Sequence, residues 1–199
     1  NLCNNGIGPE GAKALAPAIA ANASLTECNV RGNNLNSESA NLLAKVGSEK
    51  RVMLFGIKHD QTEADFSEEY VDSVDAILIA SDLSVSGSLT SLDLSLNNLG
   101  AEGAKALAAG VAVSTSLTSL SLGNNELGDE GAITIARALK ESKVSKLASL
   151  DLNGLFSDTT IGPAGAKELA KYISVSTSLT SLDLSTNRIG PKGAKELAA

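Results

Sequence analysis

The chain has 199 residues, of which 43% are hydrophobic, so it holds enough apolar sequence for a core and is excluded from the disordered class. A formal net charge of -7 sets its surface against phosphate backbones and anionic headgroups, which argues against nucleic acid and membrane surfaces as partners. With three Phe, two Tyr and no Trp, the core has to be filled by layers of Leu, Ile, Val and Ala.

Repetition appears at the first residues and continues to the last. NGIGPEGAKALA, near the N-terminus, is the tail of a unit whose next copy opens at Leu25 as LTECNVRGNNLNSESANLLA. After an irregular stretch, Leu89 begins LTSLDLSLNNLGAEGAKALA and Leu117 begins LTSLSLGNNELGDEGAITIA. Leu147 opens LASLDLNG, takes an insertion, and resumes at Ile161 as IGPAGAKELA. Leu179 begins LTSLDLSTNRIGPKGAKELA, where the chain stops. The steps from Leu89 to Leu117, Leu147 and Leu179 are 28, 30 and 32 residues.

The unit has a physical reading. Leu89, Leu92 and Leu94 fit a short strand with its apolar side chains inward, while Ser91, Asp93 and Ser95 alternate outward. Asn97 turns the chain and is placed to hydrogen-bond the backbone of neighbouring units. Gly100 and Gly103 frame the start of a helix whose Ala104, Leu107 and Ala108 return to the strand layer. Pro9, Pro163 and Pro191 fall near first helical turns, where a missing N–H costs nothing. One unit cannot bury its own Leu face, so units must stack.

The pattern LxxLxLxxNxL followed by GxxGAxxLA resembles the ribonuclease-inhibitor subfamily of leucine-rich repeats, also found in NOD-like receptors and Ran GTPase-activating proteins. The resemblance implies an α/β solenoid, a horseshoe with a concave parallel β-sheet and convex α-helices. About seven repeats are expected over residues 1–199, the first and last incomplete, which marks the chain as a fragment of a larger protein. A free-standing solenoid would need polar caps, and neither end carries one.

The pattern breaks over residues 48–88. Val52, Phe55 and Ile57 fit the strand in phase with Leu25, whereas Ala64 and Phe66 fit it in phase with Leu89. These two strands lie too close for each to open a full turn. A helix follows, with Ala76, Ile79, Ala80 and Leu83 on one face. The stretch reads as one degenerate repeat with an extra strand or loop, either a phase correction or a functional insertion. His59, the only histidine, reads as a solvated loop residue. A second break lengthens the loop after Leu152, where Phe156 is either a rim contact or tucked onto the core.

No nucleophile elbow, phosphate loop or His–Cys or His–Ser pairing is present, so the chain reads as a non-enzyme without cofactor or metal. Cys3 and Cys28 cannot form a disulfide framework. Cys28 takes a Leu position and reads as a small buried hydrophobe, which fits a reducing, intracellular and cytoplasmic setting.

The candidate site is the outward face of the strands. One column runs Asn29, Asp65, Asp93, Ser121, Asp151 and Asp183, and beside it Ser91 and Ser119 follow Glu27 and Glu63. Asp65, Ser91, Asp93, Ser119, Ser121, Asp151 and Asp183 are the expected partner contacts. Carboxylates about one strand spacing (roughly 4.8 Å) apart suit a basic protein partner or a cation, unless they form only a solvated face. The strand columns lack the Trp, Tyr and Arg typical of tight interfaces, apart from Arg31. The function expected is a protein-interaction scaffold. The alternatives are a Ran GTPase-activating-protein-like regulator of a small GTPase and a cation-binding structural surface.

Overall fold

The computed structural model describes residues 1–154 and 159–198. Phe156 lies outside the described residues. Helices and strands alternate: α1 (Gly8–Ala21), α2 (Ser37–Lys50), β1 (Glu63–Asp65), α3 (Ser73–Val85), β2 (Ser91–Asp93), α4 (Gly100–Val113), β3 (Ser119–Ser121), α5 (Gly128–Glu141), β4 (Ser149–Asp151), α6 (Pro163–Ile173), β5 (Ser181–Asp183) and α7 (Gly190–Leu197). The strands form one parallel sheet in sequence order, β1 to β5.

Each strand follows from its three central residues. In β2, β3 and β4 the middle leucine is buried and its neighbours are half-exposed. The leucines are stacked in register: Leu92 pairs with Leu120, Leu120 with Leu150, and Leu150 with Leu182. Behind them lie the helix positions expected from the pattern, including Ala104, Leu107 and Ala108 on α4 and Ala132, Ile135 and Ala136 on α5. Adjacent helices pack closely at glycines: a Cβ on Gly131 of α5 would lie 3.2 Å from the Ala104 Cβ of α4, and one on Gly193 of α7 3.2 Å from the Pro163 Cα of α6.

Asparagines tie the units together. Asn97 donates through Nδ2 to the Phe66 carbonyl one repeat upstream (2.8 Å) and to its own Leu94 and Ser95 carbonyls. Its Oδ1 accepts from Glu69 N and Val71 N. Asn33, Asn125 and Asn187 repeat the arrangement, reaching back to the carbonyls of Leu2, Leu94 and Leu152. The expected turn residue is therefore also a clamp, and Asn33 and Asn125 are fully buried. α6 lacks a cap of its own, and α5 supplies one: Asp129 Oδ1 accepts from Gly162 N and Gly165 N, both at 2.7 Å.

The ladder changes between the second and third units. Met53, not Leu54, lies opposite Glu27, one residue short of the register the sequence phase predicts. Cys28 N donates to Met53 O and Val30 N to Leu54 O, so two steps on one side meet one on the other, as at a bulge. Val52, Met53, Leu54 and Phe55 are all buried, so residues 52–55 have no solvent face, and Ile57 is buried beyond the exposed Gly56. Both expected strand segments are in use: 52–54 pairs upstream with 26–30, and 63–65 pairs downstream with β2.

This break leaves the Leu54 and Phe55 amides without the downstream carbonyls that Leu94 and Leu122 find at Ser121 and Asp151. Asp82 of α3 replaces them. Its Oδ1 accepts from Leu54 N (2.6 Å) and its Oδ2 from Phe55 N (2.9 Å). Asp82 is completely buried, and burial pushes its carboxyl up to about 7 even though both amides favour the ionised form.

Two predictions follow from this packing. Leu120→Asp places a charge in the leucine stack and should lower unfolding stability by roughly 3–5 kcal/mol, whereas Asp93→Asn should change it by no more than about 0.5 kcal/mol. Chemical denaturation measures both, and equal midpoints would reverse the assignment of inside and outside. A carboxyl with a raised folded pKa holds its proton more tightly folded than unfolded. The stability Asp82 gives is therefore fully present below its ordinary pKa of 3.8 and is lost as pH rises through about 7. The stability difference between the wild type and Asp82→Asn should drift against the wild type from pH 4 to 7.5. A pH-independent difference would show that Asp82 does not titrate as described.

The outward face of the sheet as a candidate protein-binding site

The strands bring the seven expected contacts onto one surface. Asp65 pairs in register with Asp93, Ser91 with Ser119, Ser121 with Asp151, and Asp151 with Asp183. Asp65 and Asp183 are exposed, and Asp93, Asp151, Ser91, Ser119 and Ser121 are half-exposed.

The aspartates also have a local task that the sequence reading missed. Each accepts from the backbone N–H two residues on: Ser67 N to Asp65, Ser95 N to Asp93, Asn153 N to Asp151 and Ser185 N to Asp183, at 2.7–2.9 Å. These are Asx turns, which bend the chain out of the strand; after Asp93 and Asp183 they lead into the clamps of Asn97 and Asn187. Asn29 does the same for Arg31 N in the second unit. The available signal was the restriction of this column to Asp, Asn and Ser. Two of the aspartates gain further donors. Ser67 Oγ donates to Asp65 at 2.7 Å, and with the Ser67 amide it holds that carboxyl below its ordinary value. Ser121 Oγ (3.2 Å) and Asn153 Nδ2 (3.0 Å) donate to Asp151 Oδ2.

Hydrogen bonding leaves the charges in place. Among the described residues none of Asp65, Asp93, Asp151 and Asp183 forms an ion pair with Lys or Arg. Nor do the described residues hold a group of three or more His, Cys, Asp or Glu placed to bind a metal. His59 is half-buried, and its Nε2 lies 2.9 Å from the Arg51 carbonyl. Cys28 is buried in the core with its thiol pushed up by burial, and both cysteines are free.

At the break, the face carries a cluster that sequence reasoning did not assemble. The Arg31 guanidinium lies 5.2 Å from the Phe55 ring centre and 5.6 Å from that of Phe66, and the two rings meet edge to face at 5.0 Å. Arg31 also pairs with the Glu69 carboxylate and donates to the Glu69 carbonyl at 3.0 Å. Its charge is thus already engaged within the molecule. Arg31 was the one cation in a column of Ser, Gly and Asn, and that was the legible hint. Just beyond, Tyr70 is 93% exposed and supplies the aromatic side chain that the strand columns lack.

The family described as "Leucine Rich repeat" matches residues 1–16, 86–108, 113–136 and 175–198. These segments cover the first partial unit, the units that open at Leu89 and Leu117 and the last one, while the units at Leu25 and Leu147 and the break lie outside them. Among solved structures the chain is similar to "Leiomodin-1 Actin-Binding Site 2 (ABS2)", with 20% identity, a TM-score of 0.58, and coverage of 70% of this chain and 80% of that one. No curated protein matches. The parallel five-stranded sheet, the alternating helices and these matches define a leucine-rich-repeat α/β solenoid. Leucine-rich repeats of this kind suggest a protein-interaction scaffold. The comparisons give no support to a GTPase-regulator alternative. Among the described residues, no helix is long and apolar enough to cross a membrane.

Proposed function

We propose that the chain is a non-enzymatic protein-interaction scaffold of the ribonuclease-inhibitor-like type, the repeat region of a larger intracellular protein, and that its sheet face takes a basic segment of the partner. The observation that carries this reading is the column of Asp65, Asp93, Asp151 and Asp183, whose carboxylates have no cationic partner among the described residues. Like charges at strand spacing raise the potential of the face, and a Lys- or Arg-bearing segment relieves it. Tyr70 at the rim gives such a segment an aromatic contact of the kind enriched in hot spots. A repeat of about 28 residues, each with a full α-helix, supports the subfamily reading. Two free thiols support the reducing setting.

The test is a calorimetric titration with two probes: a Lys/Arg-rich peptide and monomeric actin, the latter because the structural neighbour is an actin-binding site of leiomodin-1. Asp93→Lys/Asp151→Lys should weaken binding of the basic peptide roughly tenfold or more, and added salt should weaken the wild-type interaction toward the same level. Equal affinity of the wild type and the double variant would reduce the column to a solvated face.

A further inference from the structure

α3 differs from the other helices in how deeply it lies. Its sequence, SVDAILIASDLSV, contains no Lys, Arg or Glu. Ser84 is its only exposed residue, whereas α4 exposes Glu102, Lys105, Ala109 and Val113. Three contacts hold it down. Asp82 reaches the Leu54 and Phe55 amides beneath it. Ser81 Oγ donates to the Ala44 carbonyl of α2 at 3.0 Å. Gly110 of α4 packs against the α3 backbone so closely that a Cβ there would lie 2.5 Å from the Ala80 carbonyl oxygen and 2.7 Å from its Cα.

With α3 recessed, α2 and α4 become the walls of an open groove of about 780 Å³ on the helix side, opposite the sheet face. Ile77, Ala80 and Ser84 line its floor, and Ala44, Ala106 and Ala109 line its walls. At thirteen residues, α3 gives a groove about 20 Å long, room for three to four turns of another helix. Small residues on floor and walls permit the close approach that helix packing requires.

The groove is also charged differently from the rest of the molecule. Lys45 projects from one wall and Lys105 from the other, against the single acidic lining residue Glu102, in a chain whose net charge is -7. Neither lysine forms an ion pair among the described residues. The walls are helices whose backbone groups are already bonded internally. An extended peptide would bury its own N–H and C=O groups without partners there, whereas a helix satisfies them itself.

We propose that this groove is a second interaction site, which binds an amphipathic helix of a partner protein with a narrow Leu/Ala face and acidic flanks. The apolar face lies on Ile77, Ala80 and Ala109, and the flanking carboxylates reach Lys45 and Lys105.

The test uses fluorescein-labelled helical peptides of about 14 residues, with Leu and Ala along one face and either Glu or Gln on both flanks, so that neither probe suits the acidic sheet face, and reads fluorescence anisotropy. The Glu-flanked peptide should bind roughly tenfold tighter than the Gln-flanked one, and Lys45→Glu/Lys105→Glu should reverse that preference. Ala109→Arg, a change at an exposed position, should weaken binding by about tenfold or more while far-UV circular dichroism stays unchanged. Equal binding of the two peptides, wild-type binding by Ala109→Arg, or no binding at about 1 mM peptide would each overturn the proposal. Self-association of the chain through this face, detected by sedimentation and abolished by Ala109→Arg, would overturn it in favour of a second copy as the occupant.

Discussion

Everything in this molecule depends on satisfying the backbone where one short strand ends and the next helix begins. A three-residue strand offers few ladder bonds, and the turn that follows buries polar groups beneath the next unit. The asparagine clamp meets this need. A single side chain accepts from an upstream amide and donates both to the preceding repeat and to its own turn, as Asn97 and Asn125 show. Four residues before Asn97, Asp93 bends the chain out of the strand so that the clamp falls into place. Leucine burial then supplies the bulk of the stability, at about 1.5–3 kcal/mol per side chain, but the clamp is what makes the stack continuous.

The break at residues 52–66 shows the cost of interrupting that arrangement. The chain pairs upstream one residue out of phase, forms a second strand for the downstream units, and leaves two amides facing the interior. Asp82 answers them with a buried carboxylate, at a helix position where the next unit, 28 residues on, carries Gly110. Reaching those amides goes with the depth of α3, and the groove on the helix side is the outcome. The same break brings Phe55, Phe66 and Arg31 together at the sheet face. One break in the repeat thus shapes both surfaces.

The regular units were legible because a leucine at every strand position has one physical meaning. Periodicity gave the parallel sheet, the helix faces and the register that aligns Asp65 with Asp93 and Asp151 with Asp183. The irregular unit was legible only in outline. Val52, Phe55 and Ile57 fitted the strand pattern, but so did their neighbours, because Met53 and Leu54 are equally apolar and every one of them is buried. A segment with no solvent face carries no alternation from which to read its register. Asp82 was not singled out by the sequence, since its partners are backbone amides and leave no mark there. The Asx role of the aspartate column was missed although its restriction to Asp, Asn and Ser marked it, and the depth of α3 follows from contacts that no periodicity encodes.

Amide hydrogen exchange at Leu54 and Phe55 tests the central claim most directly. With Asp82 closing the broken ladder, both amides should be protected in the wild type to the degree of Leu94 and Leu122, and in Asp82→Ala they alone should lose that protection. Rapid exchange of Leu54 and Phe55 in the wild type, or their unchanged protection in Asp82→Ala, would contradict the account.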